Sequence, residues 1–401
     1  MKSVLVVIPT YWPEGSGGTL ATHLIVKLLS QTGRFDITVL TGTRNPEVVP
    51  GVRFIVDPFV KLVEKKFSIP RLVENRYGKL IEKHDVVYDV YAYSFIPVAK
   101  RLGKRVIVHL HDYRPVSPTS VILASQADNP AVSRLIIESF RVKYFERRNM
   151  KSLLLNVGEI LRTPLIAKWV SEADTVIAVS KRHAELLAKA LPQLRDNLIV
   201  VYNPPPPIPR IKKELAETPV FLYTGGESCL KGFCILMQAI ELALRERVKA
   251  KFIFTNKYSN QTQHVISKIN KLYGNVIYLT GRIPYAEVLN LYRRAWALLF
   301  PSIWEEPLPY VVMEAMLTQT IPIASKVGGV LELIISDRLR EFMFKPESSG
   351  ELYEKIMHLF LCNDSRQNIF HFSSYFDANT KYLLYKLKSS NEALEKNILN
   401  I

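Results

Sequence analysis

The sequence contains little cysteine and no long apolar run. Its 401 residues include three cysteines, Cys229, Cys234 and Cys362, and none lies in a Cys-x2-Cys or Cys/His cluster. A zinc site is therefore not expected, and the thiols are interpreted as buried or inert in a reducing compartment. Because no stretch of about 18 apolar residues occurs, no transmembrane helix is expected. The apolar segment Val4–Ile8 is too short for a signal peptide, so it is predicted to be the buried first strand of a cytoplasmic protein.

Two common nucleotide-binding signatures are also absent. The chain has no Gly-x4-Gly-Lys-[Ser/Thr] loop, and its segment Gly15-Ser16-Gly17-Gly18 does not follow the Gly-x-Gly-x-x-Gly pattern. These absences argue against P-loop and dinucleotide-binding proteins. The glycine-rich segment precedes a predicted helix, Leu20–Leu29, and would let a ligand approach the backbone closely. A tight turn without a ligand is an equally good interpretation.

The charge balance is strongly basic and uneven. The formal net charge is +16, with 29 Lys and Arg against 18 Asp and Glu in residues 1–205, and 24 against 19 in the remainder. Such an excess attracts an anionic partner, which is nucleic acid, an acidic membrane surface or a phosphorylated substrate. Because no zinc-finger, RNP-like or other nucleic-acid motif accompanies the charge, we expect no nucleic-acid partner.

Strand-like and helix-like segments alternate along the chain, and one proline-rich stretch interrupts them. Seven short β-branched or aromatic runs precede it and five follow it. This alternation predicts an α/β protein with two doubly wound parallel sheets and a ligand cleft between them. Pro204–Pro207 and Pro209 form a stiff linker. We therefore expect domains at residues 1–203 and 204–370, followed by a C-terminal helix and tail at 371–401.

The segment Glu306–Glu314 places two glutamates eight positions apart after a predicted buried strand. We expect it to open a helix with Pro307 in the first turn, so that about 12 Å of helical rise separates the carboxylates. That separation suits a ligand with hydroxyl groups at both ends, such as a nucleotide-sugar. Glu314 stands in an apolar stretch, where a buried carboxylate needs a partner. Chance spacing remains an open alternative.

Lys231-Gly232 lies between the predicted strand Val220–Thr224 and a helix that starts at Phe233, and Gly225 follows the strand directly. Backbone amides, the helix dipole and the lysine charge would all favour a diphosphate at such a turn. An exposed loop lysine without a role is the alternative.

Two histidines, His109 and His111, alternate at the end of the predicted strand Val106–Leu110 and so point to the same side. A metal pair is disfavoured because no third ligand is evident. Polar groups at the carboxyl end of a parallel strand lie at the ligand crevice, which favours a substrate role.

Together these motifs resemble the retaining GT-B glycosyltransferases of glycosyltransferase family 4, over nearly the whole chain. The order and spacing of ten short segments carry the resemblance. These segments are Gly17-Gly18 with His23, Val106–Asp112, Ala173–Ser180, Val201–Asn203, Gly225 with Lys231-Gly232, Leu279–Gly281, Tyr292 with Ala295, Phe300–Ser302, Glu306–Glu314 and Val327–Glu332. The resemblance implies two facing Rossmann-like domains with a cleft between them, and a C-terminal helix that crosses back to the first domain. It also implies metal-independent hexosyl transfer, without a cofactor, from a nucleotide-sugar to a glycan or lipid-linked acceptor.

The same resemblance implies roles for individual residues. Glu306 would contact the donor sugar, His111 would lie beside the reacting sugar, and Lys231 would neutralise the leaving diphosphate. These three are the catalytic candidates, and Glu314 would hold the ribose. The full set of donor-binding candidates is Gly17, Gly18, Gly225, Lys231, Glu306, Pro307, Leu308, Tyr310 and Glu314. No metal ligand is expected.

Two positions depart from the family pattern. Gly226 stands where the family usually has an arginine, and Pro309 stands where it often has a glycine. The first change removes a phosphate-binding cation and the second removes an N–H donor, which leaves the donor sugar open. The alternative function is therefore a catalytically silent GT-B-fold subunit that binds a sugar or a partner. Within enzymes, the alternative is a GT-B epimerase or phosphorylase.

Basic and apolar residues are mixed in two segments of the first half, Phe59–Lys83 and Arg134–Lys151. Helices of this kind bind anionic membrane surfaces, although an amphipathic helix usually packs its apolar face on its own domain. We expect peripheral association with the inner face of a membrane, next to a lipid-linked acceptor, as an alternative to a purely cytoplasmic location.

Overall fold

The computed structural model describes residues 1–64, 69–147, 150–209, 212–361 and 373–399. The chain divides into two units. The first domain consists of Met1–Ile122, Gln126–Pro204 and Tyr385–Ile401, and the second of Leu123–Ser125 and Pro205–Leu384. Cys362 and several basic positions of the two mixed segments, Lys65, Lys66 and Arg148, lie outside the described residues.

Seven parallel strands form the sheet of the first domain, in the order β3-β2-β1-β4-β5-β6-β7. They are β1 (Lys2–Ile8), β2 (Phe35–Thr41), β3 (Arg53–Val56), β4 (Val86–Asp89), β5 (Arg105–Leu110), β6 (Thr175–Ala178) and β7 (Leu198–Val200). Val4–Ile8 of β1 are all buried, as expected for a central parallel strand that is covered on both sides. The order reverses at β1, between β2 and β4, and this is where ligands bind in doubly wound sheets.

The helices of the first domain alternate with its strands. They are α1 (Gly17–Gln31), α2 (Phe59–Leu62), α3 (Pro70–Glu82), α4 (Ile96–Arg101), α5 (Val132–Arg147), α6 (Met150–Ser171) and α7 (Lys181–Ala190). The consecutive helices α5 and α6 pack together, and the Asn156 side chain donates a hydrogen bond to Ser139 Oγ at 2.7 Å.

Six parallel strands form the sheet of the second domain, in the order β10-β9-β8-β11-β12-β13. They are β8 (Val220–Tyr223), β9 (Lys251–Thr255), β10 (Ile277–Gly281), β11 (Ala297–Phe300), β12 (Ile321–Ser325) and β13 (Met343–Phe344). The order reverses at β8, so the loops that follow β8 and β11 are neighbours at the expected ligand position.

The helices of the second domain are α8 (Phe233–Arg245), α9 (Asn260–Tyr273), α10 (Tyr285–Arg294), α11 (Tyr310–Leu317), α12 (Val330–Leu333), α13 (Asp337–Arg340) and α14 (Ser349–Leu361). The predicted α/β class with two Rossmann-like parallel sheets is thus confirmed. None of the helices described is long and apolar enough to cross a membrane.

The C-terminal helix Ser373–Leu399 contributes residues to both domains. Near its start, Asn379 accepts a hydrogen bond from the backbone N–H of Ile335 in the second domain at 2.8 Å. Near its end, Leu394 and Ile398 are buried in the apolar core of the first domain, together with Val4 and other β1 residues. Both domains therefore depend on the last part of the described chain.

Candidate active site

Lys231 and Glu306 form an ion pair at the reversal point of the second sheet. Lys231 follows β8, Glu306 follows β11, and Lys231 Nζ lies 2.5 Å from Glu306 Oε1. Ser302 Oγ donates to the same carboxylate oxygen at 3.1 Å. The Glu306 side chain is 8% exposed and that of Lys231 is 39% exposed. The structure therefore brings these two catalytic candidates together, with the ammonium group facing solvent more than the carboxylate does.

Three glycines let the loops around this ion pair pack backbone against backbone. A Cβ atom on Gly232 would lie 1.8 Å from the Pro301 carbonyl oxygen, and one on Gly328 would lie 1.9 Å from that of Glu306. On Gly329 it would lie 2.3 Å from the Pro307 oxygen. Gly232 also has φ +75°, which favours glycine. The position of Lys231 relative to Glu306 is thus fixed by main-chain contacts.

The segment Glu306–Glu314 is not a single helix, and the prediction that Pro307 lies in the first helical turn was wrong. α11 begins at Tyr310, with Pro309 as its extended N-cap residue. Because Pro307 and Pro309 disfavour helical backbone at the residues before them, Glu306 and Leu308 stay outside the helix. The Gly329 N–H also donates to the Glu306 carbonyl oxygen at 2.9 Å, which holds the loop against its neighbour.

Glu314 lies inside α11 and is 5% exposed. The Tyr285 hydroxyl donates a hydrogen bond to its Oε1 atom at 2.9 Å. Burial raises the pKa of Glu314 to about 7, against the lowering effect of the tyrosine hydrogen bonds. Tyr310, the first residue of α11, is buried close to this carboxyl group. The arrangement provides a buried, partly protonated carboxyl group that can bond a hydroxyl.

Two residues of this site were missed in the sequence. Glu305 is 4% exposed, and its Oε2 atom accepts the Gly328 N–H at 2.7 Å, so it holds the loop that packs on Glu306. Tyr285 supports Glu314 from a separate helix. Glu305 stands directly before a candidate residue, but its partner is 23 positions away in the sequence. Local patterns do not reveal such a pairing.

The turn after β8 contains Gly226, the position where the resemblance implies an arginine. Gly226 has φ +70°, in the left-handed region that side chains rarely adopt. The Tyr223 hydroxyl donates to the Gly226 carbonyl oxygen at 2.8 Å and fixes this turn. A Cβ atom on Gly225 would lie 2.5 Å from the same hydroxyl. Backbone conformation therefore favours glycine at position 226, and the nearby hydroxyl group favours it at position 225. Farther along the same loop, Lys231 Nζ is 5.3 Å from the centre of the Trp304 ring.

The remaining candidates, Gly17, Gly18 and His111, lie together in the first domain. Gly17 and Gly18 are the first residues of α1, which starts earlier than the Leu20 predicted from the sequence. A Cβ atom on Gly18 would lie 2.4 Å from the Tyr91 hydroxyl and 3.2 Å from His111 Cβ. The first turn of α1 thus abuts the end of β5, and Tyr91 is an additional residue of this region.

His111 is neutral at physiological pH, because burial lowers its pKa to about 3. Its ring stacks on that of His109 with centroids 4.3 Å apart. Neither ring nitrogen of His111 has a hydrogen-bond partner among the described residues. The imidazole can therefore donate or accept one hydrogen bond to an incoming group.

Buried acidic and phenolic groups adjoin the two histidines. Asp89 at the end of β4 is fully buried, and its Oδ2 atom has no partner in the described part of the chain, nor has the Tyr93 hydroxyl. Burial raises the pKa of Asp89 well above its usual value, and raises that of Asp112 against the charge of Arg114. This cluster was not recognised in the sequence, because its members come from separate strands and loops.

No group of three or more His, Cys, Asp and Glu side chains in the described residues could hold a metal ion.

Several solved structures share the fold of the whole chain. Sucrose-phosphate synthase from Thermosynechococcus elongatus gives a TM-score of 0.67 at 15% identity, covering 100% of this chain and 99% of that one. Anabaena HepE, solved in complex with UDP-glucose, gives 0.64 at 17% identity, with 100% of both chains covered. WaaG, a glycosyltransferase involved in lipopolysaccharide biosynthesis, gives 0.64 at 13% identity and covers 98% of this chain and 99% of that one. These similarities establish the fold, which is GT-B.

The second domain also matches a family by sequence. Residues 207–371 match the family model described as Glycosyl transferases group 1, and this range includes Lys231, Glu306 and Glu314. No curated protein sequence is significantly similar to the chain. The chain therefore has the GT-B fold, and its residues 207–371 match the Glycosyl transferases group 1 model.

Proposed function

We propose that the protein is a retaining, metal-independent glycosyltransferase that moves a hexose from a nucleotide-sugar to a glycan or lipid-linked acceptor. The observation that carries this proposal is the Lys231–Glu306 pair, which lies within the group 1 match and at the reversal point of the sheet. A nucleotide-sugar has an anionic diphosphate next to a neutral, hydroxyl-rich sugar. The pair offers a cation for the first part and a hydrogen-bond acceptor for the second.

In this proposal Lys231 stabilises the leaving diphosphate. Its ammonium group is already held by Glu306, so little reorganisation is needed when negative charge develops beside it. The N-terminus of α8 begins two residues later and adds its dipole. Glu306 accepts hydroxyl groups of the donor sugar, and Glu314, supported by Tyr285, accepts a ribose hydroxyl.

His111 would act beside the reacting sugar. Retaining transfer builds positive charge on the sugar ring, and a protonated histidine would oppose that charge. Because burial keeps His111 neutral, its ring or its backbone carbonyl can contact the sugar without this repulsion. The cluster around Asp89 and Asp112 provides hydrogen-bonding groups for a hydroxyl-bearing acceptor.

A panel of nucleotide-sugars tests this proposal, starting with UDP-glucose because HepE was solved with it. The expected result is a rise in unfolding temperature with one donor, slow hydrolysis of that donor, and no change in hydrolysis when EDTA is added. Loss of turnover in EDTA that Mn²⁺ or Mg²⁺ restores would contradict metal independence. Binding without any turnover would favour the silent subunit instead.

We further propose that the first domain binds an anionic membrane through α5 and α6. Ile137 on α5 and Leu161 on α6 are each 70% exposed, and the basic residues Arg134 and Arg141 are also exposed. Exposed apolar side chains flanked by cations are typical of helices that lie in a membrane interface. The similarity in fold to WaaG, which acts in lipopolysaccharide biosynthesis, is compatible with a lipid-linked acceptor.

Co-sedimentation with liposomes tests the membrane proposal. The protein should sediment with anionic liposomes, and less so as salt rises, because salt screens surface charges. Substitution of both Ile137 and Leu161 by Gln should reduce sedimentation strongly. The matched control is Leu272→Gln on α9, an equally exposed leucine in the second domain. Retention in the supernatant at low salt would contradict the membrane proposal and leave the transferase proposal intact.

A further inference from the structure

Two cysteines flank Lys231 in the sequence and meet in space. Cys229 lies in the turn before Lys231, Cys234 is the second residue of α8, and their Sγ atoms are 3.0 Å apart. Cys234 is exposed and Cys229 is half-buried, so neither thiol is buried in the core. The position of Cys234 in the first turn of α8 leaves its side chain open to solvent. Four residues, Leu230–Phe233, separate the two cysteines.

The turn between the cysteines is part of the donor site. The Leu230 carbonyl oxygen accepts the Ile303 N–H at 3.0 Å, which ties the turn to the loop after β11. Gly232 packs directly on the Pro301 backbone, and Lys231 Nζ contacts Glu306. A change in the backbone between the two sulfur atoms therefore moves the lysine relative to its carboxylate partner.

A covalent bond between the sulfurs would close a ring that contains Lys231. The bond length of a disulfide is about 2.05 Å, so the sulfurs would approach each other by about 1 Å. Displacements of that size in a catalytic site reduce turnover by up to about 100-fold. The backbone contacts of Gly232 and Leu230 tie this ring to the loop after β11.

We propose that Cys229 and Cys234 form a reversible disulfide that inactivates the donor site. This proposal rests on the transferase function proposed above and adds its regulation by oxidation. The oxidant is a low-molecular-weight disulfide such as glutathione disulfide. The Cys234 thiolate, the more exposed of the two, attacks one sulfur of the oxidant and expels a thiolate. The Cys229 thiolate then attacks the Cys234 sulfur of this mixed disulfide and expels the second thiolate of the oxidant. Two cysteine thiols lose two electrons and two protons, and the oxidant becomes two thiols.

The test treats the purified full chain with glutathione disulfide and maps the product by peptide mass spectrometry. A Cys229–Cys234 link should form and be reversed by dithiothreitol, and turnover should fall about tenfold or more while it is present. Cys234→Ser should be insensitive to the oxidant, whereas Cys229→Ser should stop at a mixed disulfide between Cys234 and glutathione and form no internal link. Cys362→Ser, which leaves the pair in place, should respond as the parent does. A link elsewhere, or a Cys229–Cys234 link with unchanged turnover, would overturn the proposal.

A readout without substrate separates failure of this switch from failure of the proposed function. Lys231 lies over the Trp304 ring, so oxidation should change tryptophan fluorescence, and the change should vanish in Trp304→Phe. If the protein turns over no donor but this change accompanies the disulfide, the transferase proposal fails and the coupling of the disulfide to the Lys231 turn stands. If fluorescence is unaltered by a complete disulfide, the coupling itself is wrong.

Discussion

In the second domain each buried glutamate of the candidate site has a partner, whereas in the first domain several buried polar atoms near His111 have none among the described residues. Glu305 accepts a backbone N–H, Glu306 contacts Lys231 and Glu314 contacts Tyr285. By contrast, Asp89 Oδ2 and both His111 ring nitrogens have no such contact in the described structure. Buried polar groups are costly unless they are hydrogen-bonded. The second domain therefore holds its site preformed, and the first domain gains hydrogen bonds when a ligand or water arrives.

The largest expected effect comes from breaking the preformed ion pair. Lys231→Ala should reduce turnover about 100-fold or more with folding intact, because it removes the cation that we propose stabilises the leaving group. Steady-state kinetics and thermal unfolding check this. Lys271→Ala, an exposed lysine on α9, is the control and should be silent. Turnover of the Lys231 variant within about threefold of the parent would refute the assignment.

A smaller effect is expected where α1 meets His111 in the first domain. Gly18→Ala should lower turnover about tenfold, because the methyl group displaces the Tyr91 hydroxyl and crowds His111, while helix α1 keeps its stability. The matched control is Gly78→Ala on α3, where the nearest atom to the new Cβ is 4.0 Å away. That control should retain turnover and gain about 0.5–1 kcal/mol in unfolding free energy. Equal turnover of the Gly18 variant and the parent would remove this region from the site.

The smallest effect on turnover is expected for Glu314→Gln, since the amide keeps a hydrogen-bonding group in place. The pKa of Glu314 rises from 4.5 to about 7 on folding, so the folded protein retains a proton that the unfolded chain releases. The contribution of Glu314 to the free energy of unfolding is therefore present at low pH and is lost as pH rises through about 7.

Urea unfolding at pH 5 and pH 8 measures this contribution. Relative to Glu314→Gln, the parent should lose roughly 1–3 kcal/mol of unfolding free energy over that interval. The control is the exposed glutamate variant Glu354→Gln, which should follow the parent. Identical pH dependence of parent and Glu314→Gln would show that the carboxyl group is not held in its neutral form.

The sequence predicted most of the fold because hydrophobic periodicity and linker composition are local signals. Every strand from β1 to β12 lies where an apolar run predicted it. β13 was missed, because Met343–Phe344 is too short to produce a pattern. The expectation that Pro307 lies in the first turn of α11 failed, because Pro307 and Pro309 keep Glu306 and Leu308 out of helical backbone and the Gly329 N–H binds the Glu306 carbonyl oxygen.

The candidate site was predicted in part, and for a similar reason. Lys231 and Glu306 stand in recognisable motifs, and the structure brings them into contact. No short motif reveals Glu305, Tyr285 or Tyr91, because each contacts a residue distant in the sequence. Asp89 was missed because it comes from a different strand than His109. Composition was also a poor guide to the thiols, since the spacing of Cys229 and Cys234 does not show that a turn brings the sulfurs to 3.0 Å.

The C-terminal helix has a consequence for how the chain is made. Leu394 and Ile398 complete the apolar core of the first domain, yet they are synthesised after the entire second domain. During translation, part of the apolar core of the β1–β7 sheet therefore stays uncovered until these residues emerge from the ribosome. A stop codon soon after Lys386 would leave the second domain nearly whole and the first one permanently unfinished.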